Sequence, residues 1–173
     1  FAKKINASLP VIQAEPTINF HDAVHTLLWL SFENRTDQAH TVIPLNIRLD
    51  GKYRIVLISG PNAGGKSVCL KTVALLQYML QCGMLVPMKE DSVMGIFKNI
   101  FIDIGDEQSI DNDLSTYSSH LLNMKYFVRH SSPDTLILID EFGSGTEPQI
   151  GGAIAQATLE KLCQSKAYGV ITT

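Results

Sequence analysis

The sequence predicts an α/β fold with a mostly parallel sheet flanked by helices, and three observations support this prediction. Short apolar runs typical of buried strands alternate with longer runs typical of helices. A glycine-rich loop at residues 60–67 lies between one such strand and one such helix. Another apolar run, residues 136–139, ends in the acids Asp140 and Glu141. In parallel sheets of this kind, ligands lie at the carboxyl ends of the strands.

The composition is that of a folded globular protein. The chain has 173 residues, of which 45% are hydrophobic and 18% charged, so we expect one domain with a buried core. A net charge of −3 gives no strong basic surface for nucleic acid on this chain. No apolar run approaches the ~20 residues that span a bilayer, so we expect no membrane partner and a cytoplasmic location. The cysteines, scattered in apolar runs, are expected to be buried thiols in a reducing cytosol: Cys69, Cys82 and Cys163.

The N-terminal region is weakly patterned. Pro10 and Pro16 interrupt residues 1–22, which we interpret as the tail of a preceding region and a linker. Residues 23–173 are then the main domain, and we interpret the chain as a C-terminally truncated fragment because it stops inside a strand-like run. No internal repeat or second domain is expected.

Strands are predicted before the glycine-rich loop. Short strands are expected within residues 18–30, and residues 34–37 suit a turn. Residues 41–49 and 52–59 are rich in strand formers and flank Asp50-Gly51, a dipeptide that tight hairpins prefer. This predicts that the strand leading into the loop has an antiparallel neighbour.

Helices and strands alternate after the loop. Residues 68–81 predict a helix so apolar that it is largely buried, with Gly83 as its C-terminal stop. Residues 93–104 are strand-like. The spacing of Tyr117, Leu121, Met124 and Val128 is typical of one helix face. The remaining predictions are a strand at 136–139, a helix at 149–164 and a strand at 168–172.

The loop at 60–67 fits the pattern G-x-x-x-x-G-K-[ST], which predicts binding of a nucleoside triphosphate. Backbone N–H groups at glycines and at the following helix N-terminus would hold phosphate oxygens. Lys66 would reach the β and γ phosphates, and Ser67 would bind Mg²⁺. A chance match is the alternative, but the strand before and the helix after the loop argue against it. The candidate residues are Gly60, Pro61, Asn62, Ala63, Gly64, Gly65, Lys66 and Ser67.

The acids after the 136–139 strand predict the second half of the same site. Asp140 would hold Mg²⁺ through water, because this ion keeps several waters beside phosphates. Glu141 would orient or deprotonate the attacking water. Solvated acids at a strand end are the alternative. The loop that follows, residues 142–148, is either an ordinary connection or a tight turn that meets a partner subunit, since Gly143 and Gly145 permit close approach.

Residues 114–120 begin the predicted 117–128 helix and allow two interpretations. Ser115 is a suitable N-cap residue. Alternatively, this helix N-terminus receives the γ-phosphate of a nucleotide held by a neighbouring subunit. Composition does not separate the two.

Together these three motifs resemble the MutS family, whose members carry an ABC-type ATPase module. The loop reads Gly-Pro-Asn-Ala-Gly-Gly-Lys-Ser, more specific than the general pattern; Ser-Thr-Tyr stands where the family has Ser-Thr-Phe, and Asp-Glu-Phe-Gly where it usually has Asp-Glu-Leu-Gly. The resemblance covers residues 23–173. Residues 104–110, 114–120 and 145–148 resemble the second MutS branch, whose members usually carry a C-terminal Smr nuclease domain.

The resemblance implies a P-loop NTPase fold of ABC type, with an antiparallel β portion near the N-terminus, that binds ATP and Mg²⁺ and hydrolyses ATP. It implies that Asn62 lies near the γ-phosphate and that Val42 and Ile43 pack against the adenine. Ser115 and Thr116 would complete the site of the other subunit in a head-to-tail homodimer. DNA would be bound through regions outside this chain, and the ATP cycle would drive a clamp in mismatch repair or recombination control.

Two departures from the family pattern bear on activity. Residues 24–28 read Val-His-Thr-Leu-Leu where the family tends to have Arg-His-Pro-Leu-Leu. The family's switch histidine would come directly after Thr173, so we expect weak hydrolysis by this chain. An ATPase subunit of another ABC-type machine, a transporter or an SMC-like protein, is the alternative, although 114–120 lacks a transporter's Leu-Ser-Gly-Gly-Gln signature. A small-molecule kinase would be expected to carry an arginine-rich lid, but arginine is sparse after residue 66, which argues against this class.

Overall fold

A computed structural model describes residues 1–33, 41–61, 64–105, 113–144 and 146–173, with the backbone alone for 113–117. The predicted turn at 34–37 and the candidate residues Asn62, Ala63 and Gly145 lie outside the described residues. The strands are β1 (Val11–Gln13), β2 (Ile18–Ala23), β3 (Leu45–Leu49), β4 (Ile55–Ile58), β5 (Val93–Gly95), β6 (Asn99–Asp103), β7 (Thr135–Ile139) and β8 (Tyr168–Thr172). The helices are α1 (Thr26–Glu33), α2 (Lys66–Gln81), α3 (Asp113–His130) and α4 (Pro148–Gln164).

The chain divides into two compact units. The first unit comprises residues 1–52 and 68–96, and the second comprises 53–67 and 97–173. The predicted boundary after residue 22 falls inside β2, and residues 1–22 belong to the first unit. Their prolines lie outside β1 and β2, and therefore break the sequence pattern without preventing strand pairing.

The first unit is built on a mixed four-stranded sheet in the order β1-β5-β2-β3. β2 runs antiparallel to both β3 and β5, which agrees with the antiparallel portion predicted near the N-terminus. Ile18 and Phe20 of β2 are fully buried. The Nε2 amide of Gln77 on α2 donates a 2.8 Å hydrogen bond to the carbonyl of Gly95, which ties α2 to the end of β5.

The second unit is built on an entirely parallel four-stranded sheet in the order β4-β8-β7-β6. Every residue of β7 and β8 is buried, as expected of central strands covered on both faces. Apolar side chains of α3 and α4 pack on one face of this sheet. The cluster comprises Met124, Phe127, Ile137, Ile139, Leu162, Ala167 and Ile171.

The predicted hairpin around Asp50-Gly51 is wrong. β3 pairs with β2 in the first unit, whereas β4 pairs in parallel with β8 in the second. The dipeptide still makes a local turn, because Asp50 Oδ1 accepts a 2.8 Å hydrogen bond from the Lys52 N–H. Turn chemistry is local, whereas β4 pairs with a strand about 110 residues later in the chain.

The remaining elements divide into confirmed predictions and corrections. α2, α3, α4, β7 and β8 lie where predicted. Gly83 ends α2 with φ 78°, its N–H bonding to the Leu80 carbonyl and that of Met84 to the Met79 carbonyl. However, α1 replaces part of the strands expected within 18–30, and the strand-like run at 93–104 forms two strands, β5 and β6, in different sheets.

The cysteines also differ from expectation. Cys82 and Cys163 are exposed rather than buried, because each lies on a solvent-facing position at the end of a helix. Cys69 is partly buried, and this burial raises the pKa of its thiol. All three are free thiols. Among the helices of the described residues, none combines the length and the apolar character needed to cross a bilayer.

Candidate active site

The glycine-rich loop leaves the carboxyl end of β4 and leads directly into α2. Gly60 has φ 151° and Gly65 has φ 78°, conformations that favour glycine. Lys66 is the first residue of α2, and its side chain is folded back so that Nζ donates a hydrogen bond to the Gly60 carbonyl. It is only 6% exposed. The loop therefore brings an ammonium group into contact with its own backbone carbonyl at the start of a helix.

The described glycines of this loop are not packed against other elements. A Cβ atom built on Gly60, Gly64 or Gly65 would meet no atom of the described residues within 4 Å, their chain neighbours aside. Ser67, half-buried, follows Lys66 in the first turn of α2. A lysine, a hydroxyl residue and backbone N–H groups at a helix N-terminus are the donors that a phosphate chain needs.

The acids Asp140 and Glu141 directly follow β7. Asp140 is 6% exposed, and its Oδ1 accepts hydrogen bonds from the Thr172 hydroxyl and, at 3.2 Å, from the Glu141 N–H. The same N–H lies 2.9 Å from the Thr172 hydroxyl oxygen. Glu141 is exposed and has φ 51°, a left-handed conformation that is uncommon for glutamate and clusters at functional sites.

The loop and the acids lie at the same edge of one sheet. β8 stands between β4 and β7, with Ile58 opposite Thr172 and Ile139 opposite Ile171. Because neighbouring strands are about 4.8 Å apart, the ends of β4 and β7 are separated by roughly 10 Å. Lys66, Ser67, Asp140 and Glu141 thus all follow the carboxyl ends of strands in the sheet of the second unit.

Thr172 and Asp103 belong to this edge although the sequence analysis did not select them. Asp103 ends β6, is 6% exposed, and its carbonyl accepts a 2.9 Å hydrogen bond from the Asp140 N–H. Its carboxylate accepts from His120 Nδ1 at 2.7 Å and from Asn123 Nδ2 at 2.8 Å. The available signal was an acid at the end of a strand-like run, the same signal that identified Asp140.

The loop after the acids is held closely against α4. The Phe142 N–H donates to the Thr172 carbonyl at 2.8 Å, and Gly143 has φ 84°. A Cβ on Gly151 of α4 would lie 2.5 Å from the Gly143 carbonyl oxygen. Glu147 caps α4, its carboxylate accepting from two backbone N–H groups, those of Gln149 at 3.3 Å and Ile150 at 3.2 Å. This connection is a close-packed turn and not a loose loop.

The other predicted residues lie on other elements. Val42 and Ile43 belong to the first unit and precede β3, where Val42 lines a pocket with Trp29 and Phe32. Ile43 is 87% exposed. Ser115 and Thr116 lie within the first turn of α3, which begins at Asp113, so the interpretation of Ser115 as the N-cap is wrong.

Protein side chains alone do not make a complete metal site here. In the part of the chain that the structure describes, no group of three or more His, Cys, Asp and Glu side chains is arranged to hold a metal ion. Asp140 with Ser67 offers one carboxylate and one hydroxyl oxygen, the hard donors that Mg²⁺ prefers. This donor set suits Mg²⁺ that also takes water and phosphate oxygens, which is usual for this ion beside phosphates.

A parallel sheet with a glycine-rich loop after one strand and paired acids after another defines an α/β domain with its site at the carboxyl edge. The family model described as MutS domain V matches residues 56–173, and the chain belongs to the MutS family. It is 41% identical over 172 residues to the Endonuclease MutS2 of Lactobacillus acidophilus, covering 99% of this chain and 21% of that protein. It is 42% identical over 173 residues to the Endonuclease MutS2 of Pelotomaculum thermopropionicum, covering 100% of this chain and 21% of that protein. The chain thus spans about a fifth of the length of the curated relatives it matches.

Proposed function

We propose that this chain binds ATP with Mg²⁺ in the loop at residues 60–67 and hydrolyses it, as an ABC-type ATPase domain of a MutS2-like protein. The observation that supports this most is the placement of Lys66. The lysine of the phosphate-loop pattern begins α2, lies against the loop backbone, and stands at the same sheet edge as Asp140. Kinship with proteins named Endonuclease MutS2 supports the wider assignment.

Binding would use the backbone and one charge. On arrival of the triphosphate, Lys66 Nζ exchanges the Gly60 carbonyl for phosphate oxygens, whose negative charge makes the new hydrogen bonds stronger. The N–H groups at the start of α2 and the positive end of its dipole face the same anion. Ser67 and Asp140 would hold Mg²⁺, which supplies charge neutralisation on the phosphates.

Hydrolysis would depend on Glu141. Its carboxylate is exposed next to Asp140, where it would orient or deprotonate the attacking water. Thr172 and Asp140 fix its backbone N–H, so the left-handed conformation at Glu141 is maintained before substrate arrives. A group held in advance loses less entropy when the reaction begins.

In the whole protein, we propose that ATP is held between two copies arranged head to tail. Ser115 and Thr116 on the first turn of α3 would complete the partner's site, and Val42 and Ile43 would pack against the adenine. DNA would be bound by regions outside this chain, and nucleotide turnover would drive a clamp in recombination control or mismatch repair.

Nucleotide titration tests the binding proposal. Lys66→Ala removes the charge that faces two phosphates, and a charge-assisted contact is worth ~1.5–3 kcal/mol, or about ten- to a hundredfold in affinity. Lys161→Ala, on the exposed face of α4, is the matched control and is expected to leave ATP affinity unchanged. Equal Mg-ATP affinities in wild type and Lys66→Ala would remove the phosphate-loop assignment. Glu141→Gln, measured in parallel, is expected to keep ATP binding and to slow turnover, because an amide is no base.

A further inference from the structure

The carboxylate of Asp103 is buried at the end of β6 and is held by two side chains from one helix. Both donors are on α3: His120 Nδ1 lies 2.7 Å from Oδ2, and Asn123 Nδ2 lies 2.8 Å from Oδ1. An ionised carboxylate only accepts hydrogen bonds, so Nδ1 of His120 carries the proton. Each oxygen of Asp103 therefore has its own donor, one helical turn apart on α3.

Such an arrangement is a poor way to add stability. Removing a carboxylate from water is unfavourable, and its hydrogen bonds roughly compensate for that loss without adding a large gain. α3 already packs on the sheet through Met124 and Phe127. Unlike apolar contacts, two directional hydrogen bonds to one fixed carboxylate set both the position of α3 along its axis and its rotation about that axis.

Asp103 is also joined to the acids through its backbone. Its carbonyl accepts the 2.9 Å hydrogen bond from the Asp140 N–H, and in the β6–β7 ladder it stands opposite Ile139. One residue thus holds α3 with its side chain and the start of the Asp140-Glu141 segment with its main chain. Thr172 holds the same segment from the opposite side, since β8 is the other neighbour of β7.

We propose that Asp103, His120 and Asn123 form a positioning cluster that fixes α3 relative to Asp140 and Glu141. The inference rests on the proposed ATPase function and adds residues to it. Ser115 and Thr116 lie on the same helix, five and four residues before His120, so the cluster sets the position of their backbone together with that of the acids. Asp103 and His120 line a pocket together with Asp140 and Glu141. In this proposal they act as positioning residues, which keep two parts of the site at a fixed separation.

Steady-state kinetics and nucleotide titration in the full-length protein separate positioning from simple packing. We expect His120→Ala and Asn123→Ala each to lower kcat for ATP hydrolysis by about ten- to a hundredfold, the usual effect of removing a supporting hydrogen bond behind a reacting group. ATP affinity is expected to change less than about twofold, because the loop at 60–67 is not touched. His120→Asn keeps an N–H donor near the position of Nδ1 and is expected to recover most of the rate.

Lys125→Ala is the matched control, because Lys125 lies on the same helix at an exposed position. Its kcat should equal that of wild type. An unchanged kcat in both His120→Ala and Asn123→Ala would overturn the proposal. A parallel fall in kcat, ATP affinity and thermal unfolding midpoint, without recovery in His120→Asn, would also overturn it and would leave the cluster a structural support. If wild-type protein binds no ATP, the proposed function itself fails, and that result is distinct from the other two.

Discussion

The Thr172 hydroxyl lies between β7 and β8 and makes two hydrogen bonds with the acidic segment. It donates to Asp140 Oδ1 and accepts from the Glu141 N–H at 2.9 Å. Thr172 is fully buried, so no water replaces these bonds when the hydroxyl is removed. A buried polar group that loses its partner costs about 1–3 kcal/mol.

Thr172→Val is therefore expected to lower the free energy of unfolding by about 1–3 kcal/mol, since valine has nearly the same shape and no hydroxyl. Thr172→Ser keeps the hydroxyl and removes only a methyl group, so it should cost less than Thr172→Val. Chemical denaturation of both variants beside wild type gives the comparison. A valine variant as stable as the serine variant would show that these hydrogen bonds do not support the acidic segment.

Some residues of the candidate site can be identified from the sequence, and others only from the fold. Lys66 and Asp140 stand in patterns whose chemistry is local: a lysine after glycines, and an acid after an apolar strand. Thr172 and Asp103 act on Asp140 through neighbouring strands of the sheet, so their roles follow from strand order. No local pattern reports that β8 and β6 are the two neighbours of β7.

At the scale of elements, α1 begins with an uncommon cap. His25 directly precedes the helix, and its Nδ1 accepts a 3.1 Å hydrogen bond from the Leu28 N–H. Only an imidazole without a proton on Nδ1 can accept this bond. Burial lowers the pKa of His25 below its ordinary value near 6.5.

This cap makes stability depend on pH in a known direction. The folded state releases the His25 proton more readily than the unfolded state, so its contribution is present above pH ~6.5 and is lost as the pH falls through the lowered pKa. His25→Asn keeps a side-chain oxygen suited to capping and does not titrate. Between pH 7.5 and 5, we expect denaturation midpoints to fall further for wild type than for His25→Asn. Identical pH profiles would exclude a linked histidine cap.

Two consecutive glycines on α4 give a sharp test of packing against the loop that follows the acids. A Cβ on Gly151 would lie 2.5 Å from the Gly143 carbonyl oxygen, whereas one on Gly152 would meet nothing within 4 Å. We expect Gly151→Ala to destabilise by about 1–3 kcal/mol through overpacking. Gly152→Ala should stabilise by about 0.5–1 kcal/mol, because alanine favours the helix. Equal effects of both changes in chemical denaturation would show that Gly143 and α4 are not in close contact.

A helix or strand can be predicted from sequence when its own residues carry the full hydrophobic pattern of that element. α2 and α3 have helical spacing over several turns, and β7 is an apolar run too short for a helix, so each lies where the sequence places it. The predicted antiparallel pairing of β4 with the preceding strand was wrong, because Asp50-Gly51 indicates a turn but not which strands pair. The sequence analysis did not predict β1, because its three residues are all exposed and show no alternation of apolar and polar side chains.

At the scale of the whole molecule, the proposed head-to-tail arrangement makes each ATP site the product of two chains. In the full-length protein, Ser115→Asp should stop hydrolysis by repelling the γ-phosphate of the partner's nucleotide. Lys66→Ala should stop it by losing the phosphate contact in its own loop. A mixed dimer has one site that combines both changes and one that contains neither.

Mixing equal amounts of the two inactive variants is therefore expected to restore about a quarter of the wild-type rate, since half of the dimers are mixed and each has one intact site. Each variant mixed with itself is the control. If mixed dimers form, as shown by two affinity tags, and no activity returns, the sites are not shared between chains.

The position of β4 in the sheet also has a consequence during translation. Among the described strands, β4 lies at the edge of its sheet with β8 as its neighbour, and Ile55 stands opposite Gly169, about 110 residues later. At ribosomal rates of about 5–20 residues per second, roughly 6–22 s pass between synthesis of β4 and synthesis of that partner. Its apolar residues remain unpaired throughout this interval, which makes them a segment for a chaperone to protect. The phosphate loop is thus translated well before the strand that pairs with β4.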